Sequence, residues 1–289
     1  MKASDYQITG PVKLSERKTH EDFGKTKELE KELDEVSKKI ADIQNAMYAH
    51  GKYAALICIQ GMDTAGKDSL IREVFKNFNA RGVVVHSFKT PTSLELGHDY
   101  LWRHYIALPA RGKVGVFNRT HYENVLVTRV HPEYVLNENI PGIDEVSDID
   151  EAFWENRFEQ INNFEKHIAD NGTIIFKFFL HLSKEEQKNR LLRRLNKPNK
   201  NWKFSAGDLK ERALWDEYQN CYEDAINKTS KFHAPWYIIP ADDKPTARLI
   251  LANILLEKLS SYKDMKEPEL DEKTKSNIDA YRKQLESEE

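Results

Sequence analysis

The middle of the chain alternates short apolar runs with longer segments of helical periodicity, a pattern typical of a parallel sheet with crossover helices. The predicted strands are 53–60, 83–88, 113–117, 173–182 and 235–240, and the predicted helices lie near 67–79, 95–107, 151–171, 184–196, 208–228 and 245–262. Strand segments such as Val114–Phe117 and Trp236–Ile239 are apolar throughout, as expected where helices cover both faces of a sheet. The pattern predicts an α/β fold, a three-layer sandwich around a five-stranded parallel sheet.

A long amphipathic helix is predicted before this region, within an N-terminal extension of residues 1–50. Its apolar positions alternate in steps of four and three: Leu29, Leu33, Val36, Ile40, Ile43 and Met47. Such a stripe needs a partner surface, which is either the protein's own core or a second subunit. The main domain is expected to span residues 51–262, followed by a charged C-terminal helix or tail over residues 263–289.

Composition and charge narrow the functional classes. The 289 residues carry a formal net charge of −3, which argues against a general nucleic-acid-binding protein. Two segments are nevertheless basic: residues 102–131 hold five Lys or Arg against one acid, and residues 184–212 hold ten against four. No signal-peptide pattern or membrane-spanning run is found, so we expect a cytoplasmic protein without a membrane partner. Cys58 and Cys221 lack metal-site and disulfide spacing and are expected to be packing residues.

A glycine-bounded loop follows the first predicted strand and leads into a predicted helix. Its sequence is Gly61-Met62-Asp63-Thr64-Ala65-Gly66-Lys67-Asp68-Ser69. A strand, loop and helix of this kind direct backbone N–H groups and a helix N-terminus at one anion, so residues 64–69 are predicted to bind phosphate. Asp63 would repel a phosphate unless a cation lay between them, which makes Asp63 a predicted Mg²⁺ ligand. Alternatively, Asp63 and Asp68 only cap the loop and the helix.

Two positions depart from the pattern usual in loop-type kinases. Asp68 directly follows Lys67, where the usual loop has a Ser or Thr that ligates Mg²⁺, and Ser69 comes one residue late. Asn118 follows the third strand, where such kinases commonly have Asp, and its neutral side chain would orient a phosphate or a metal-bound water. Arg119 has the planar fork that suits phosphate oxygens. In the alternative interpretation, Asn118 closes a turn and Arg119 pairs with a buried acid.

A polar, helix-breaking segment at residues 196–205 follows the cluster Arg190, Arg193 and Arg194. This arrangement predicts a mobile lid over about residues 190–212, whose cations would stabilise a transferring phosphoryl group while water is excluded. The alternative is a solvated basic helix face, which is the interpretation favoured for Arg193 and Lys197 taken individually.

Together these motifs resemble the polyphosphate kinase 2 family, over about residues 52–258. The resemblance is carried by four motifs in order, namely Gly61–Lys67, Phe117–Glu123, Trp202–Ser205 with Asp208, and Ala234–Lys244. It implies a P-loop kinase-like fold similar to thymidylate-type nucleotide kinases, with residues 51–262 as the phosphotransferase domain. It also implies that inorganic polyphosphate donates a phosphoryl group to nucleotides with Mg²⁺ as cofactor.

The resemblance also assigns roles to individual residues. The implied catalytic residues are Asp63, which would hold Mg²⁺, together with Lys67, Arg119 and Arg190, the last acting with Arg194 from the lid. The further implied phosphate-binding residues are Lys89, Arg103, Arg129, Arg194 and Lys203, of which Lys89, Arg103 and Arg129 would line a polyanion channel or else form surface ion pairs. The implied nucleotide-proximal residues are Asn118, His121 and Glu123. Asp243 is implied either as part of the site or only as the cap of the last helix.

The sequence Phe117-Asn118-Arg119-Thr120-His121-Tyr122-Glu123 resembles class III of the family, which implies phosphorylation of both AMP and ADP. Asn118 then puts a two-carboxylate Mg²⁺ site in doubt, unless Glu123 supplies the missing charge. The alternatives are a kinase of ADP only, an ATP-dependent nucleoside monophosphate kinase, and a non-catalytic polyphosphate or nucleotide binder. The helical stripe and the resemblance together favour a homo-oligomer, a dimer or tetramer.

Overall fold

The structure, a computed structural model, describes residues 1–288, apart from the side chains of Lys200, Trp202 and Lys203. Five strands form one sheet: β1 (Ala54–Gly61), β2 (Val83–Ser87), β3 (Val114–Asn118), β4 (Thr173–His181) and β5 (Trp236–Pro240). All neighbouring strands pair in parallel, in the order β2-β3-β1-β4-β5. The predicted parallel sheet is confirmed, and each strand lies within one residue of its predicted bounds.

The α-helices of the described residues are α1 (Thr26–His50), α2 (Lys67–Val74), α3 (Ser93–Leu96), α4 (Trp102–Tyr105), α5 (Glu123–Val130), α6 (Glu151–Asp170), α7 (Lys184–Leu195), α8 (Ala206–Ala213), α9 (Trp215–Thr229), α10 (Lys244–Leu259) and α11 (Glu272–Glu286). Short 3₁₀ helices lie at Ala3–Asp5, Leu14–Glu16, Ala80–Gly82, Pro132–Glu138, Val146–Asp148 and Pro198–Lys203. No described helix is long and apolar enough to cross a membrane.

Several helix predictions were wrong in detail. The helix predicted at 95–107 is two short helices, because the Asp99 carboxylate accepts a hydrogen bond from the Leu101 N–H and turns the chain between them. The helix predicted at 208–228 is divided at Leu214, whose φ of −90° and ψ of 25° leave the helical range. Helix α5 was not predicted, because four of its eight residues are Val or Thr, which favour strands when taken alone.

The two faces of the sheet are covered by different helices. Ile57 and Ile59 of β1 pack with α1, α2 and α10 on one face. Leu56 and Cys58, the alternate residues of the same strand, pack with α6 on the other face. The three-layer prediction is thus confirmed, and both cysteines are buried.

The apolar stripe of α1 lies along the core of its own chain. Leu33 and Ile40 are buried in the cluster that contains the apolar face of α10. The Ser37 hydroxyl donates a 2.7 Å hydrogen bond to the Val74 carbonyl, which fixes α1 to α2. The stripe therefore has a partner surface within the same chain.

The first residues cover one edge of the sheet. The Ile8 N–H donates to the Trp236 carbonyl, and the Ile238 N–H donates to the Tyr6 carbonyl, at 2.8 and 3.0 Å. This antiparallel pairing satisfies backbone groups of β5 that an open edge would expose. At the opposite end of the chain, α11 is a charged helix without a buried residue.

Candidate active site

The glycine-bounded loop lies at the carboxyl end of β1, in the middle of the sheet. Gly66 takes a φ of 106°, which glycine adopts more readily than any other residue, and α2 begins directly after it. A Cβ on Gly61 would lie 3.0 Å from the Leu180 carbonyl oxygen. Both glycines are thus required by the backbone, and the N-terminus of α2 is directed at the space beside the loop.

Lys67 folds back over the loop. Its Nζ donates to the Gly61 carbonyl at 2.6 Å and to the Met62 carbonyl at 3.4 Å. Burial lowers the pKa of Lys67, while Asp63 acts in the opposite direction. The ammonium group is therefore held at the loop by backbone acceptors.

Arg190 supports the loop from α7. Its guanidinium donates to the carbonyls of Thr64 and Ala65 at 3.0 and 2.8 Å, and to the carbonyls of Ala241 and Asp242 at 2.6 and 2.9 Å. Burial lowers the pKa of Arg190, whose side chain is only 4% exposed. A guanidinium fixed to four carbonyls does not fit the expectation that Arg190 acts from a moving lid.

A cavity of about 660 Å³, here called the basic cavity, opens beside the loop. Among the described side chains, its charged lining consists of nine basic and three acidic residues: Lys67, Arg72, Arg119, Arg190, Arg193, Arg194, Lys197, Lys244 and Arg248, with Asp63, Asp68 and Asp208. Of the predicted phosphate-binding residues, Thr64, Gly66 and Ser69 also line it. The sequence did not indicate Arg72 or Arg248, because α2 and α10 bring them in from outside the motifs.

A second cavity of about 320 Å³, here called the mixed cavity, has a different lining. Its aromatic and apolar lining includes Phe88, Pro91, Leu96, Tyr100, Val127 and Tyr134. Its charged lining includes Lys89, Glu95, Asp99, Arg103, Arg119, Glu123 and Glu138. This cavity has flat apolar surfaces as well as polar groups, which suits an organic ligand that carries charge.

Arg119 lines both cavities. Its backbone has a φ of 57°, an unusual conformation for a residue with a side chain, and functional sites often contain such residues. Its guanidinium lies 3.3 Å from Asp63 and 4.0 Å from Glu123. Burial would lower the pKa of Arg119, but Glu123 and Asp63 raise it above its ordinary value. A permanent cation thus stands where the two cavities meet.

Asn118 connects the end of β3 to the start of α2. Its Nδ2 donates to Asp68 Oδ1 at 2.7 Å and to Ser87 Oγ at 3.3 Å. Its Oδ1 is buried and has no hydrogen-bond partner among the described residues.

Comparison with known proteins identifies the family of this chain. The family described as Polyphosphate kinase 2 (PPK2) matches residues 24–268. The chain belongs to the polyphosphate kinase 2 family. It is therefore an enzyme, a polyphosphate kinase that acts as a phosphotransferase.

Relatives and a solved structure support the assignment. An ADP-polyphosphate phosphotransferase of Rhodopseudomonas palustris is 46% identical over 247 residues, which cover 86% of this chain and 84% of the relative. An AMP/ADP-polyphosphate phosphotransferase of Meiothermus ruber is 44% identical over 224 residues, 78% of each chain. The crystal structure of polyphosphate kinase 2 from Arthrobacter aurescens TC1 matches with a TM-score of 0.86 at 33% identity, covering 97% of both chains.

The residues of this polyphosphate kinase fit Mg²⁺. The described residues contain no group of three or more His, Cys, Asp or Glu side chains that would hold a metal alone. Mg²⁺ instead usually takes one or two carboxylates and completes its shell with water and substrate phosphates. Asp63 is 34% exposed in the basic cavity, Glu123 lines the mixed cavity, and Arg119 contacts both carboxylates. These are oxygen ligands of the kind that Mg²⁺ prefers, beside a loop that suits phosphate.

His121 is not brought to either cavity. Its side chain is fully buried, and its Nε2 donates to Glu165 Oε1 at 3.0 Å. Of the three residues expected near the nucleotide, Glu123 lines the mixed cavity and Asn118 lines the basic cavity. The motif gave the right segment but not the direction of each side chain.

His121 belongs to a set of fully buried polar groups, here called the buried ionic cluster: His121, Tyr122, Glu165, Lys177 and Thr229. Lys177 Nζ donates to Glu165 Oε2 at 2.6 Å, to Tyr122 Oη at 2.8 Å and to the Thr229 carbonyl at 2.7 Å. Burial would raise the pKa of Glu165, but Lys177 and His121 hold it below its ordinary value. Burial lowers the pKa of Lys177. Sequence analysis missed this cluster, although a lysine within the apolar strand Ile174–Leu180 was a usable signal.

The remaining predicted residues are dispersed. Lys89 and Arg103 line the mixed cavity, where the Arg103 guanidinium donates to the Lys89 carbonyl at 2.8 Å. Arg129 lines neither cavity. It pairs with Asp224, as expected if it forms an ion pair instead of lining a polyanion channel. Asp243 caps α10 by accepting from the Thr246 N–H at 2.9 Å. The side chain of Lys203 lies outside the described residues.

Proposed function

We propose that this polyphosphate kinase transfers the terminal phosphoryl group of inorganic polyphosphate to AMP and to ADP, giving ADP and ATP with Mg²⁺ as cofactor. The observation that carries the proposal is the position of Arg119 between a basic cavity and a mixed cavity. The names of the two relatives add support, since one acts on ADP and the other on AMP and ADP.

The donor is assigned to the basic cavity. A polyphosphate chain carries about one negative charge per phosphate and has no apolar part, which matches a lining of nine basic against three acidic residues. Ion pairs with Glu73, Glu186 and Asp208 offset part of this excess in the free protein, and a polyanion would offset more of it. The loop and Lys67 would hold the phosphates next to the reacting one.

The acceptor is assigned to the mixed cavity. Phe88, Tyr100 and Tyr134 provide flat surfaces for a nucleobase, and the polar groups provide partners for the ribose and phosphate. Arg119 would bind the phosphate end of the nucleotide, because it is the basic residue that lines both cavities. A single acceptor site of this kind accommodates AMP and then ADP.

The reaction needs no strong general base. The attacking group is a phosphate oxygen of the nucleotide, which is already ionised at neutral pH. This oxygen forms a bond to the terminal phosphorus of polyphosphate, and the bond from that phosphorus to the shortened chain breaks. Lys67 and Arg119 position the two reactants and stabilise the charge on the transferring group. Mg²⁺, held by Asp63 with water and substrate phosphates completing its shell, would neutralise phosphate charge when bound.

Product analysis tests the proposal. Purified protein is mixed with Mg²⁺ and polyphosphate, and separate reactions receive AMP, ADP or no nucleotide. We expect ADP and then ATP from AMP, ATP from ADP, and loss of all product with a chelator. ATP from ADP only would reduce the enzyme to a diphosphate kinase. Turnover that requires ATP and a monophosphate would contradict the polyphosphate donor, and a rise in melting temperature with polyphosphate but no product would indicate a binder.

We also propose a cytoplasmic homo-oligomer, a dimer or tetramer. The apolar stripe of α1 is occupied by α10, so a subunit contact would use another surface. Edge strand β2 is a suitable one, because Val84 and Val85 are 43% and 47% exposed on opposite faces of the sheet. Sedimentation of the full chain measures the oligomeric state, and a monomer at assay concentration would contradict the proposal.

A further inference from the structure

We propose that Asp68 and Asn118 act as one coupled pair, in which Asn118 has to be neutral because Asp68 already supplies the carboxylate at this point of the basic cavity. The activity part of this inference rests on the proposed function. Its stability part does not, since it concerns a contact within the protein.

The geometry of the contact supports a charge-dependent pair. The Asn118 Nδ2 to Asp68 Oδ1 distance of 2.7 Å is short for an amide donor and is typical of a hydrogen bond to an ionised carboxylate. Only the amide NH₂ of Asn118 can donate, so the carboxylate fixes the orientation of the amide. The same NH₂ donates to Ser87 Oγ at 3.3 Å, which uses both of its protons.

The pair joins the two departures found in the sequence. The chain has Asp68 where the usual loop has a hydroxyl residue, and Asn118 where such kinases commonly have a carboxylate. The two positions are 50 residues apart and meet at this single hydrogen bond. Each departure alone would change the charge of the site, whereas together they keep one carboxylate and move it from the end of β3 to the start of α2.

The pair also aligns the two principal phosphate-binding residues. Lys67 precedes Asp68, and Arg119 follows Asn118, so the hydrogen bond ties the backbone segments that carry both cations. Asp68 is exposed and Asn118 is 7% exposed, and both line the basic cavity. Neither lines the mixed cavity. They are therefore positioning residues on the donor side, and their loss should affect turnover more than nucleotide affinity.

Introducing a second carboxylate should break the pair. In Asn118→Asp, two carboxylates would face each other at the 2.7 Å contact, where they repel and separate. In Asp68→Asn, the two amides bond only weakly and the carboxylate is missing. In the exchange variant Asp68→Asn/Asn118→Asp, a carboxylate again meets an amide NH₂, with the partners reversed.

The experiment compares wild type, both single variants and the exchange variant. We expect about a tenfold to hundredfold loss of kcat in Asn118→Asp, with KM for ADP within about threefold, and at least a tenfold recovery in the exchange variant. The melting temperature should fall by about 3 °C or more in Asn118→Asp and recover in the exchange variant. Recovery of kcat and melting temperature in the exchange variant would show that the two residues act together. If they contributed independently, the losses of the two single variants would add in the exchange variant.

Glu73→Gln combined with Asn118→Asp is the matched control, because Glu73 is another carboxylate of α2 and pairs with Arg72 at 2.8 Å. This combination should recover neither kcat nor melting temperature. An exchange variant no better than Asn118→Asp in both readouts, or an Asn118→Asp variant equal to wild type, would overturn the inference. If the wild type phosphorylates no nucleotide, the proposed function fails. The melting temperatures of the four proteins would still show whether Asp68 and Asn118 act as a coupled pair.

Discussion

Lys67 and Lys177 occupy contrasting electrostatic environments within one molecule. Lys177 is fully buried, and its ammonium has three protein acceptors, among them the carboxylate of Glu165. Lys67 has two backbone carbonyl acceptors and lines a cavity in which the described basic residues outnumber the acidic ones by nine to three. The first lysine is paired with a carboxylate of its own protein, whereas the second is bonded to backbone carbonyls in a cavity whose described lining is mainly basic.

This contrast distinguishes residues that stabilise the fold from residues that bind a ligand. A buried charge is tolerated when its partners are complete, because an unpaired charge in the interior is costly. Surplus cations around a solvent-filled cavity cost less, since water screens them until a polyanion arrives. Residues of the buried ionic cluster should therefore affect folding first, and residues of the basic cavity should affect turnover first.

Lys177→Met should have the largest effect, a loss of about 3–5 kcal/mol in the free energy of unfolding, because Glu165 is left buried without its lysine partner and keeps only the hydrogen bonds from His121 and Tyr122. Urea unfolding measures it. Without Lys177 the folded-state pKa of Glu165 should rise above its unfolded value. The loss of stability relative to wild type should therefore become smaller as the pH falls toward the pKa of Glu165 in the unfolded chain. It should become larger as the pH rises through the pKa of Glu165 in the folded variant.

The double variant Lys177→Met/Glu165→Gln is the control for this prediction. It removes both charges and should unfold at a higher urea concentration than Lys177→Met alone. A Lys177→Met protein as stable as wild type at neutral pH would contradict the view that the cluster is structural.

Lys67→Ala should lower kcat by about a hundredfold to a thousandfold, the size of effect found when one preorganised donor is removed from a transition state. The melting temperature should stay close to that of wild type, because Lys67 is only half-buried and just two hydrogen bonds to loop carbonyls are lost. The measurement is ATP formation from ADP and polyphosphate beside a melting curve. Lys76→Ala, which removes a lysine paired with Asp34 instead of one in the basic cavity, is the control and should retain activity.

The sequence predicted those features that are encoded locally. Each strand was found because a parallel strand covered on both faces is a continuous apolar run. The glycine-bounded loop was recognised because its two glycines and its lysine lie within one short segment, Gly61–Lys67. The mixed cavity was not found, because its lining is spread from Phe88 to Glu138 and is assembled by tertiary packing.

The direction in which each side chain points was the second feature that could not be predicted from the sequence. Arg119 and His121 lie two residues apart in one motif, yet the first lines both cavities and the second is fully buried. The left-handed backbone at Arg119 breaks any simple periodicity at this point, so spacing alone does not give direction. Lys177 and Glu165 come from β4 and α6, and their pairing depends on how that helix packs on the sheet.

Arg129→Ala should have the smallest effect. The family resemblance implied that Arg129 either lines a polyanion channel or forms a surface ion pair. In the structure its guanidinium pairs with Asp224 and lies 5.8 Å from the ring centre of Trp154 and 5.7 Å from that of Phe158. Because the ion pair between Arg129 and Asp224 is partly exposed, we expect a loss of about 1 kcal/mol in stability. The KM for polyphosphate should stay within about twofold of wild type. Arg248→Ala, from the basic cavity, is the comparison and should raise that KM. If Arg129→Ala raised it as much as Arg248→Ala, the polyphosphate path would have to extend beyond the basic cavity, and the separation between matched and surplus charge would fail at this residue.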